Sequence, residues 1–157
     1  MKAVVQRVAY SQVIVEGEIV ATIDDGLLVL LGVGPADDAT IARRLAAKVV
    51  GLRVFCVNSE NMNSSVIDIG GAVLCVSQFT LFADVRRGNR PSFSGAANPV
   101  LASELYEAFC AEIAARGVPC ERGVFGADME VELLNNGPVT LLLDTADWER
   151  PRRAPAT

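Results

Sequence analysis

The chain has 157 residues, of which 51% are hydrophobic and 21% charged, and this balance predicts one globular domain rather than a disordered segment. Its formal net charge of -5 argues against broad, nonspecific binding of nucleic acid, because such binding requires a basic surface. The sequence has no apolar stretch near the roughly 18 residues of a membrane span and no apolar leader, so a cytoplasmic protein without membrane contacts is expected.

The first third of the chain is predicted to form strands, because β-branched residues are dense from Val4 to Ile23. Glu16-Gly17 lies between two valine-rich segments and is typical of a hairpin turn. Residues 27–33 are apolar throughout, which indicates a strand that is covered on both faces.

A helix is predicted over residues 37–50, because Asp37 or Asp38 can cap its N-terminus and Gly51 can end it. Its apolar face follows a spacing of four residues, at Ile41, Leu45 and Val49. Further strands are predicted after this helix, over residues 52–57 and 72–80.

The second helix is predicted to start at Asn98 as N-cap, with Pro99 in the first helical position, and to stop before Gly117. Its apolar side chains recur every four residues, at Leu101, Leu105, Phe109 and Ile113. Three strands are predicted to follow, over residues 118–122, 129–134 and 138–144.

Many strands and two helices predict an α/β fold with a single domain, in which the two main helices pack outside a mixed, barrel-like sheet. A parallel crossover is plausible around each helix. The domain is expected to cover residues 1–145. Residues 146–157, rich in proline, arginine and alanine, are expected to form a flexible C-terminal tail.

The chain contains four cysteines and no histidine. Without histidine or a C-x-x-C pair no ordinary zinc site can form, and no acidic cluster has ligand spacing, so neither a metal nor a cofactor is expected. Each cysteine lies in an apolar segment and is predicted to be a reduced core residue: Cys56, Cys75, Cys110 and Cys120. The missing histidine also removes the commonest general base.

A polar cluster, Ser77-Gln78-Phe79-Thr80, ends the apolar run of residues 72–76. Strand alternation would place Ser77 and Phe79 on one face and Gln78 and Thr80 on the other. The simpler interpretation is a strand that leaves the core. The alternative is a strand end that presents hydroxyls, an amide and backbone N–H groups to a ligand, and such donors can stabilise an oxyanion.

A second polar cluster, Asn135-Asn136-Gly137-Pro138, lies between two apolar segments. Its simpler interpretation is a hairpin turn, with Gly and Asn supplying positive φ angles. The alternative is functional, because a Gly-Pro bond can be cis and a carbonyl in such a turn can face a partner or a ligand.

Arginines form a third feature. Arg86, Arg87 and Arg90 share a loop that holds one acid, and they are either a solvated surface or a set of phosphate contacts. Arg7 differs, because it interrupts a hydrophobic strand. Its charge should therefore require a partner or carbonyl acceptors.

With these clusters in order, the sequence closely resembles the D-aminoacyl-tRNA deacylases in their bacterial and eukaryotic form. The segments that carry the resemblance are residues 1–8, 26–33, 77–81, 90–93, 126–129 and 135–140. The resemblance implies a cofactor-free homodimeric enzyme that hydrolyses the ester of D-aminoacyl-tRNA, removes glycine from mischarged tRNA and rejects L-aminoacyl-tRNA. Its partner would be the acceptor end of tRNA, and no DNA is expected.

The resemblance also implies residue roles. Gly137-Pro138, with a cis bond, would reach into the partner subunit's active site, and Arg7 would brace it. The residues around the scissile ester would be Ser77, Gln78, Phe79 and Thr80. Phe125 and Met129 would lie near the terminal adenine. Apart from the resemblance, the charge of the arginine loop predicts contacts with acceptor-end phosphates. Base chemistry would come from the 2′-hydroxyl of the RNA and a water, while the protein positions them. The rival hypothesis is a noncatalytic nucleic-acid-binding dimer that kept the fold.

Overall fold

The computed structural model describes residues 1–57 and 61–148. The strands of this part are β1 (Lys2–Val15), β2 (Glu18–Ile23), β3 (Gly26–Gly32), β4 (Ala72–Ser77), β5 (Cys120–Arg122) and β6 (Glu130–Asp144), and the helices are α1 (Ala39–Val50) and α2 (Pro99–Ala115). All these strands join one mixed sheet, so the predicted α/β class and its two main helices are confirmed. Neither helix is long and apolar enough to cross a membrane.

Strand β1 organises the sheet. Its residues 2–8 pair with β3, its residues 11–15 pair with β2, and β6 pairs along nearly its whole length, all antiparallel. The turn to β2 is the predicted hairpin, with φ of 51° at Glu16 and 83° at Gly17. Because β2 also contacts β4 and β5, the sheet curls into an incomplete barrel.

Both helices connect parallel strands, as predicted. The chain runs from β3 through α1 to β4, and from β4 through α2 to β5. The predicted caps form: Asp38 accepts from the Ile41 amide at 2.8 Å, and Asn98 accepts from the Leu101 amide at 3.1 Å.

The sheet is covered on both faces. One core lies between the sheet and the helices and includes Val29, Leu45 and Phe109, all fully buried. The other lies inside the curl of the sheet and includes Val8, Leu28 and Leu74. Neighbouring residues of β3 point to opposite cores, which explains why its sequence is apolar at every position.

One predicted strand does not form, and another is shorter than predicted. Residues 52–57 do not form a strand, because their backbone pairs only at an isolated bridge between Phe55 and Ser64. The strand predicted over residues 72–80 ends at Ser77, and a 3-10 turn follows over Phe79–Phe82. There the neighbouring strand ends at Gly32, so the ladder has no further partner.

The two strands predicted over residues 129–134 and 138–144 are one strand, β6, and the hairpin turn between them is wrong. Both halves run antiparallel to the same strand, β1. Between the pairs Gln6–Thr140 and Val8–Asn135, β1 advances by two residues and β6 by five, that is, three extra residues. Gly137-Pro138 therefore lies in a bulge on a continuous strand.

The cysteine prediction is partly wrong. Cys75 and Cys110 are buried and Cys120 is partly buried, but Cys56 is exposed, because its segment is not a strand of the sheet. Of the predicted tail, residues 149–157 lie outside the described residues. Before them, Thr145–Asp147 form a 3-10 turn and the Trp148 ring lies 4.5 Å from the Arg44 guanidinium.

Candidate active site

A cavity of about 630 Å³ opens where the parallel strands β3 and β4 end. Ligands of α/β sheets bind at this edge, because the carboxyl ends of parallel strands meet there with the loops that follow them. One wall is formed by Ser77, Gln78 and Phe79. The rest of the lining includes the start of α2 and a second wall, from the segment between β5 and β6.

The first wall follows from the end of β4. The backbone N–H of Gln78 donates to the Leu31 carbonyl at 2.8 Å, and the chain then enters the 3-10 turn. This turn places Gln78 and Phe79 in the same cavity, so the predicted alternation fails after Ser77. Thr80 is exposed and does not line the cavity, but its Oγ1 accepts from Gln78 Nε2 at 2.5 Å.

Backbone donors are also available on this wall. The first N–H groups of a 3-10 turn have no carbonyl within it to bind. In this turn the Leu81 N–H is already paired with the Gln78 carbonyl at 3.3 Å. The Phe79 N–H has no acceptor among the described residues, and because Phe79 lines the cavity this group can bind an external acceptor. Such donors can bind the oxyanion of a tetrahedral intermediate.

The second wall is built from the loop that follows β5. Phe125, Asp128 and Met129 line the cavity, and the loop turns at Gly126, with φ of 78°. A Cβ at Gly123 would lie 2.7 Å from Met129 Sδ, so glycine is required for this methionine to pack there. The structure thus brings Phe125 and Met129 to the same cavity as Ser77, Gln78 and Phe79.

The sequence reasoning missed two lining residues. The ring of Phe93 meets Phe79 edge-on at a centroid distance of 5.1 Å, and Asp128 is the charged residue of the lining. Both residues belong to segments on which the family resemblance rests, 90–93 and 126–129. The sequence thus marked these positions, but no role was predicted for either side chain.

Arg7 has the carbonyl acceptors that its place in an apolar strand predicts. Its Nε donates to the Asn136 carbonyl at 3.1 Å and its Nη1 to the Val54 carbonyl at 2.5 Å. The Asn135 side chain ties the bulge together, because its Nδ2 donates to the carbonyls of Arg7 and Val139, each at 3.0 Å. The peptide bond between Gly137 and Pro138 is cis.

Within one chain, this dipeptide and the cavity are apart. Arg7 pairs with Leu27 of β3, whereas Ser77 pairs with Leu31 of the same strand. Four residues of strand correspond to about 13 Å. Gly137 and Pro138 are exposed, and neither they nor Arg7 line the cavity.

The arginine loop forms a polar cavity of about 600 Å³ lined by Asp84, Arg86, Arg87, Arg90 and Ser92. This polar cavity adjoins the main cavity, because Ser92 lines the polar cavity and the next residue, Phe93, lines the main one. Arg86 donates from both Nε and Nη2 to the Asp84 carboxylate, at 2.9 and 2.6 Å. These bonds lower the pKa of Asp84 below its ordinary value. Within residues 1–57 and 61–148, Arg87 and Arg90 have no such ion pair.

No group of three or more cysteine, aspartate or glutamate side chains with a metal-binding arrangement occurs in the described part of the chain.

Comparisons with known proteins agree on one family. A family model described as D-Tyr-tRNA(Tyr) deacylase matches residues 4–144. The chain is 59% identical over 145 residues to the D-aminoacyl-tRNA deacylase of Koribacter versatilis (strain Ellin345), covering 92% of this chain and 97% of that protein. It is 56% identical over 144 residues to the D-aminoacyl-tRNA deacylase of Deinococcus radiodurans, covering 92% and 99%.

Two solved structures share the fold. One, described as a c-Myc DNA unwinding element binding protein, is 39% identical with a TM-score of 0.87, over 92% of this chain and 99% of that chain. The other, described as a probable eukaryotic D-amino acid tRNA deacylase, is 17% identical with a TM-score of 0.78, over 90% and 97%, and this likeness concerns the fold alone. Since the family model spans β1 to β6 and the relatives match over nearly their whole length, the chain belongs to the D-Tyr-tRNA(Tyr) deacylase family.

Proposed function

We propose that this chain hydrolyses the ester bond of D-aminoacyl-tRNA, and of glycine mischarged on tRNA, and that it rejects L-aminoacyl-tRNA. The enzyme class follows from the relatives, which are D-aminoacyl-tRNA deacylases at more than half identity. The observation that carries the proposal is the cavity itself, which Ser77, Gln78 and Phe79 line together with Phe125 and Met129.

The two walls suit the two parts of an aminoacylated RNA end. Phe125 and Met129 offer an apolar surface on which an unpaired base can stack. The opposite wall offers hydroxyl, amide and N–H groups, which suit an ester and a ribose. The neighbouring arginine loop supplies positive charge for the phosphates that precede the terminal nucleoside.

The chemistry relies on position rather than on a protein base. In the proposed step, water adds to the ester carbonyl, and the Phe79 N–H group stabilises the oxyanion. The bond to the ribose oxygen then breaks, and the RNA 2′-hydroxyl relays the proton from the water to that oxygen. Thr80 positions rather than attacks, because the side-chain amide of Gln78, to which its hydroxyl is hydrogen-bonded, is not a base.

Stereochemical selection requires a second copy of the chain. Strand β6 has β1 on one edge and no partner on its other edge among residues 1–57 and 61–148. Leu134 and Leu142 of this strand are 54% and 72% exposed, which favours an interface. In a twofold dimer, Gly137-Pro138 of each subunit would form a main-chain wall in the partner's cavity. This wall would exclude an L side chain and admit a D side chain or hydrogen.

The test is release of amino acid from charged tRNA over many turnovers, with D-, L- and glycyl-tRNA in parallel. Release of the D-amino acid and of glycine, with L-aminoacyl-tRNA intact, is the expected result. Analytical ultracentrifugation of the same preparation should give a dimer. Intact D-aminoacyl-tRNA after stoichiometric incubation with folded protein would disprove the enzymatic proposal.

The rival, a noncatalytic nucleic-acid-binding protein, is favoured by one observation, the DNA-binding description of a structure at 39% identity. The net charge of -5 opposes it. Binding of duplex DNA across a salt series separates the two proposals. Tight DNA binding at physiological salt, together with no ester hydrolysis, would support the rival.

A further inference from the structure

A buried tyrosine of α2 contacts Phe125 of the second wall and the strand that leads into the first wall, without lining the cavity itself. Tyr106 is 2% exposed. Its hydroxyl donates to the Cys75 carbonyl at 2.8 Å, and its ring lies 6.0 Å from the ring of Phe125 at an angle of 54°. Because it does not line the cavity, any effect it has on substrate must act through these two neighbours.

The Cys75 carbonyl joins the two walls. Besides the Tyr106 hydroxyl, it accepts from the Gly123 amide at 2.9 Å. Cys75 lies two residues before Ser77, and Gly123 lies two residues before Phe125. One of the two bonds to this oxygen therefore ties the segment of the second wall to that of the first, and the other ties α2 to the same point.

The same junction fixes Met129. Its Sδ packs directly on Gly123, 2.7 Å from the place that a Cβ there would take, so a shift of Gly123 changes the surface on which the methionine packs. Tyr106 is thus linked to both residues. It is linked to Met129 through the Cys75 carbonyl and Gly123, and to Phe125 through direct ring contact.

The Tyr106 hydroxyl remains a donor at any working pH. Burial, with smaller contributions from the neighbouring thiols of Cys75, Cys110 and Cys120, raises its pKa above the ordinary value for tyrosine. Its side chain is also fixed, since it packs in the core between the sheet and the helices.

We propose that Tyr106 is a positioning residue that sets the separation of the two cavity walls and so governs how tightly the terminal nucleoside of the tRNA binds. This inference rests on the proposed deacylase function for its kinetic consequence. Its structural consequence, the placement of Met129 and Phe125, does not depend on activity.

The kinetic test uses Tyr106→Phe, which removes the hydroxyl and keeps the ring. We expect the KM for D-aminoacyl-tRNA to rise about fivefold, the size of one typical hydrogen bond, with kcat nearly unchanged. Ile113→Val is the matched control, because Ile113 is fully buried on the same helix and does not line the cavity. It should lower thermal stability and leave KM unchanged.

Coupling to Phe125 provides a second measurement. If the Tyr106 ring acts through Phe125, Tyr106→Leu, which removes that ring, and Phe125→Leu together should raise KM by less than the product of the single effects. Independent, multiplicative effects would contradict the proposal.

A third readout needs no activity. The chain has three methionines, Met1, Met62 and Met129, so ¹³C-methyl labelling gives three resonances. In Tyr106→Phe the Met129 methyl should shift while the other two stay, and Ile113→Val should shift none. An unmoved Met129 resonance with unchanged KM overturns the proposal. If the wild-type protein hydrolyses no ester, the proposed function fails, and the Met129 resonance still decides whether Tyr106 sets the wall.

Discussion

Arg7 of β1 and Asn136 of β6 are joined by a hydrogen bond from the guanidinium Nε to the main-chain oxygen, at 3.1 Å. The other end of the same guanidinium donates to the Val54 carbonyl, beyond α1. One planar cation thus fixes the backbone beside the exposed Gly137-Pro138 dipeptide against a different part of the fold. Its geometry, rather than its charge alone, sets where the dipeptide points.

Replacing Arg7 by lysine should therefore impair selection. Lysine keeps the charge, but a single ammonium group cannot reproduce the planar guanidinium, which donates to the Asn136 and Val54 carbonyls from two different nitrogens. We expect the ratio of kcat/KM for D- over L-aminoacyl-tRNA to fall about tenfold or more, the free-energy scale of one charge-assisted hydrogen bond. Parallel assays with both enantiomers of one amino acid measure it. An unchanged ratio in folded Arg7→Lys would show that the brace is dispensable.

Gly137→Ala should have a similar effect for a steric reason. Gly137 has φ of 120°, and a Cβ there would lie 2.5 Å from Arg7 Nη2 and 2.9 Å from Val139 Cγ2. The guanidinium must then move, and selectivity or activity should be lost. Gly70→Ala is the control, because Gly70 also has positive φ, of 63°, but its Cβ would meet no described residue within 4 Å. Equal effects of the two variants would reduce the prediction to general backbone strain.

The sequence predicts those features of the fold that depend on nearby residues. Asp38 and Asn98 cap their helices, and the all-apolar β3 is buried on both faces, because caps and burial patterns are read over a few positions. The bulge at residues 135–138 depends instead on β1. The Asn135 side chain binds the Arg7 carbonyl, 128 positions away, and local turn chemistry cannot distinguish this bulge from a hairpin.

The site shows the same division. Ser77, Gln78 and Phe79 were predicted to act together, and they do line one cavity, but not by strand alternation. The strand ends because its neighbour β3 ends, which the residues after Ser77 do not encode. Tyr106 gave no signal, because a tyrosine on the apolar face of a helix is typical of an ordinary core residue.

Thr80 should tolerate a change that keeps its hydroxyl. Its Oγ1 accepts from the Gln78 amide, an arrangement that orders the wall and supplies no base. We expect Thr80→Ser to keep most of kcat and Thr80→Ala to lower it about tenfold, far less than the loss of a covalent nucleophile. Single-turnover kinetics give the rates. An aminoacyl adduct on Thr80, detected by mass spectrometry after acid quench, would contradict the positioning role.

The thiols should differ sharply in reactivity. Cys56 is exposed, whereas Cys75 and Cys110 are buried. A hydrogen bond with Cys110, together with burial, raises the pKa of Cys120, so its reactive thiolate is scarce at neutral pH. Titration of the native protein with an aromatic disulfide should show one fast thiol, absent in Cys56→Ser, and four after unfolding. A second fast-reacting thiol in the native protein would contradict the protection expected for Cys75, Cys110 and Cys120.

The last prediction concerns the arginine loop and tRNA affinity. Arg87 and Arg90 face the polar cavity beside the main one and have no ion pair within the described residues. If each meets a phosphate, the double variant Arg87→Ala, Arg90→Ala should weaken tRNA binding, and the slope of log K against log salt should flatten by about two. The rate at saturating tRNA should hardly change, because these side chains do not line the main cavity.

Two single variants sharpen this test. Arg86 is already engaged by Asp84, whose carboxylate also accepts the Arg86 backbone amide at 3.0 Å. Arg86→Ala should therefore change the salt slope less than either neighbour and act mainly by loosening the loop. Arg43→Ala, which removes one exposed charge from α1, controls for net charge and should leave the slope unchanged. If the Arg87, Arg90 variant keeps the wild-type slope, the loop is a solvated surface and the phosphates bind elsewhere.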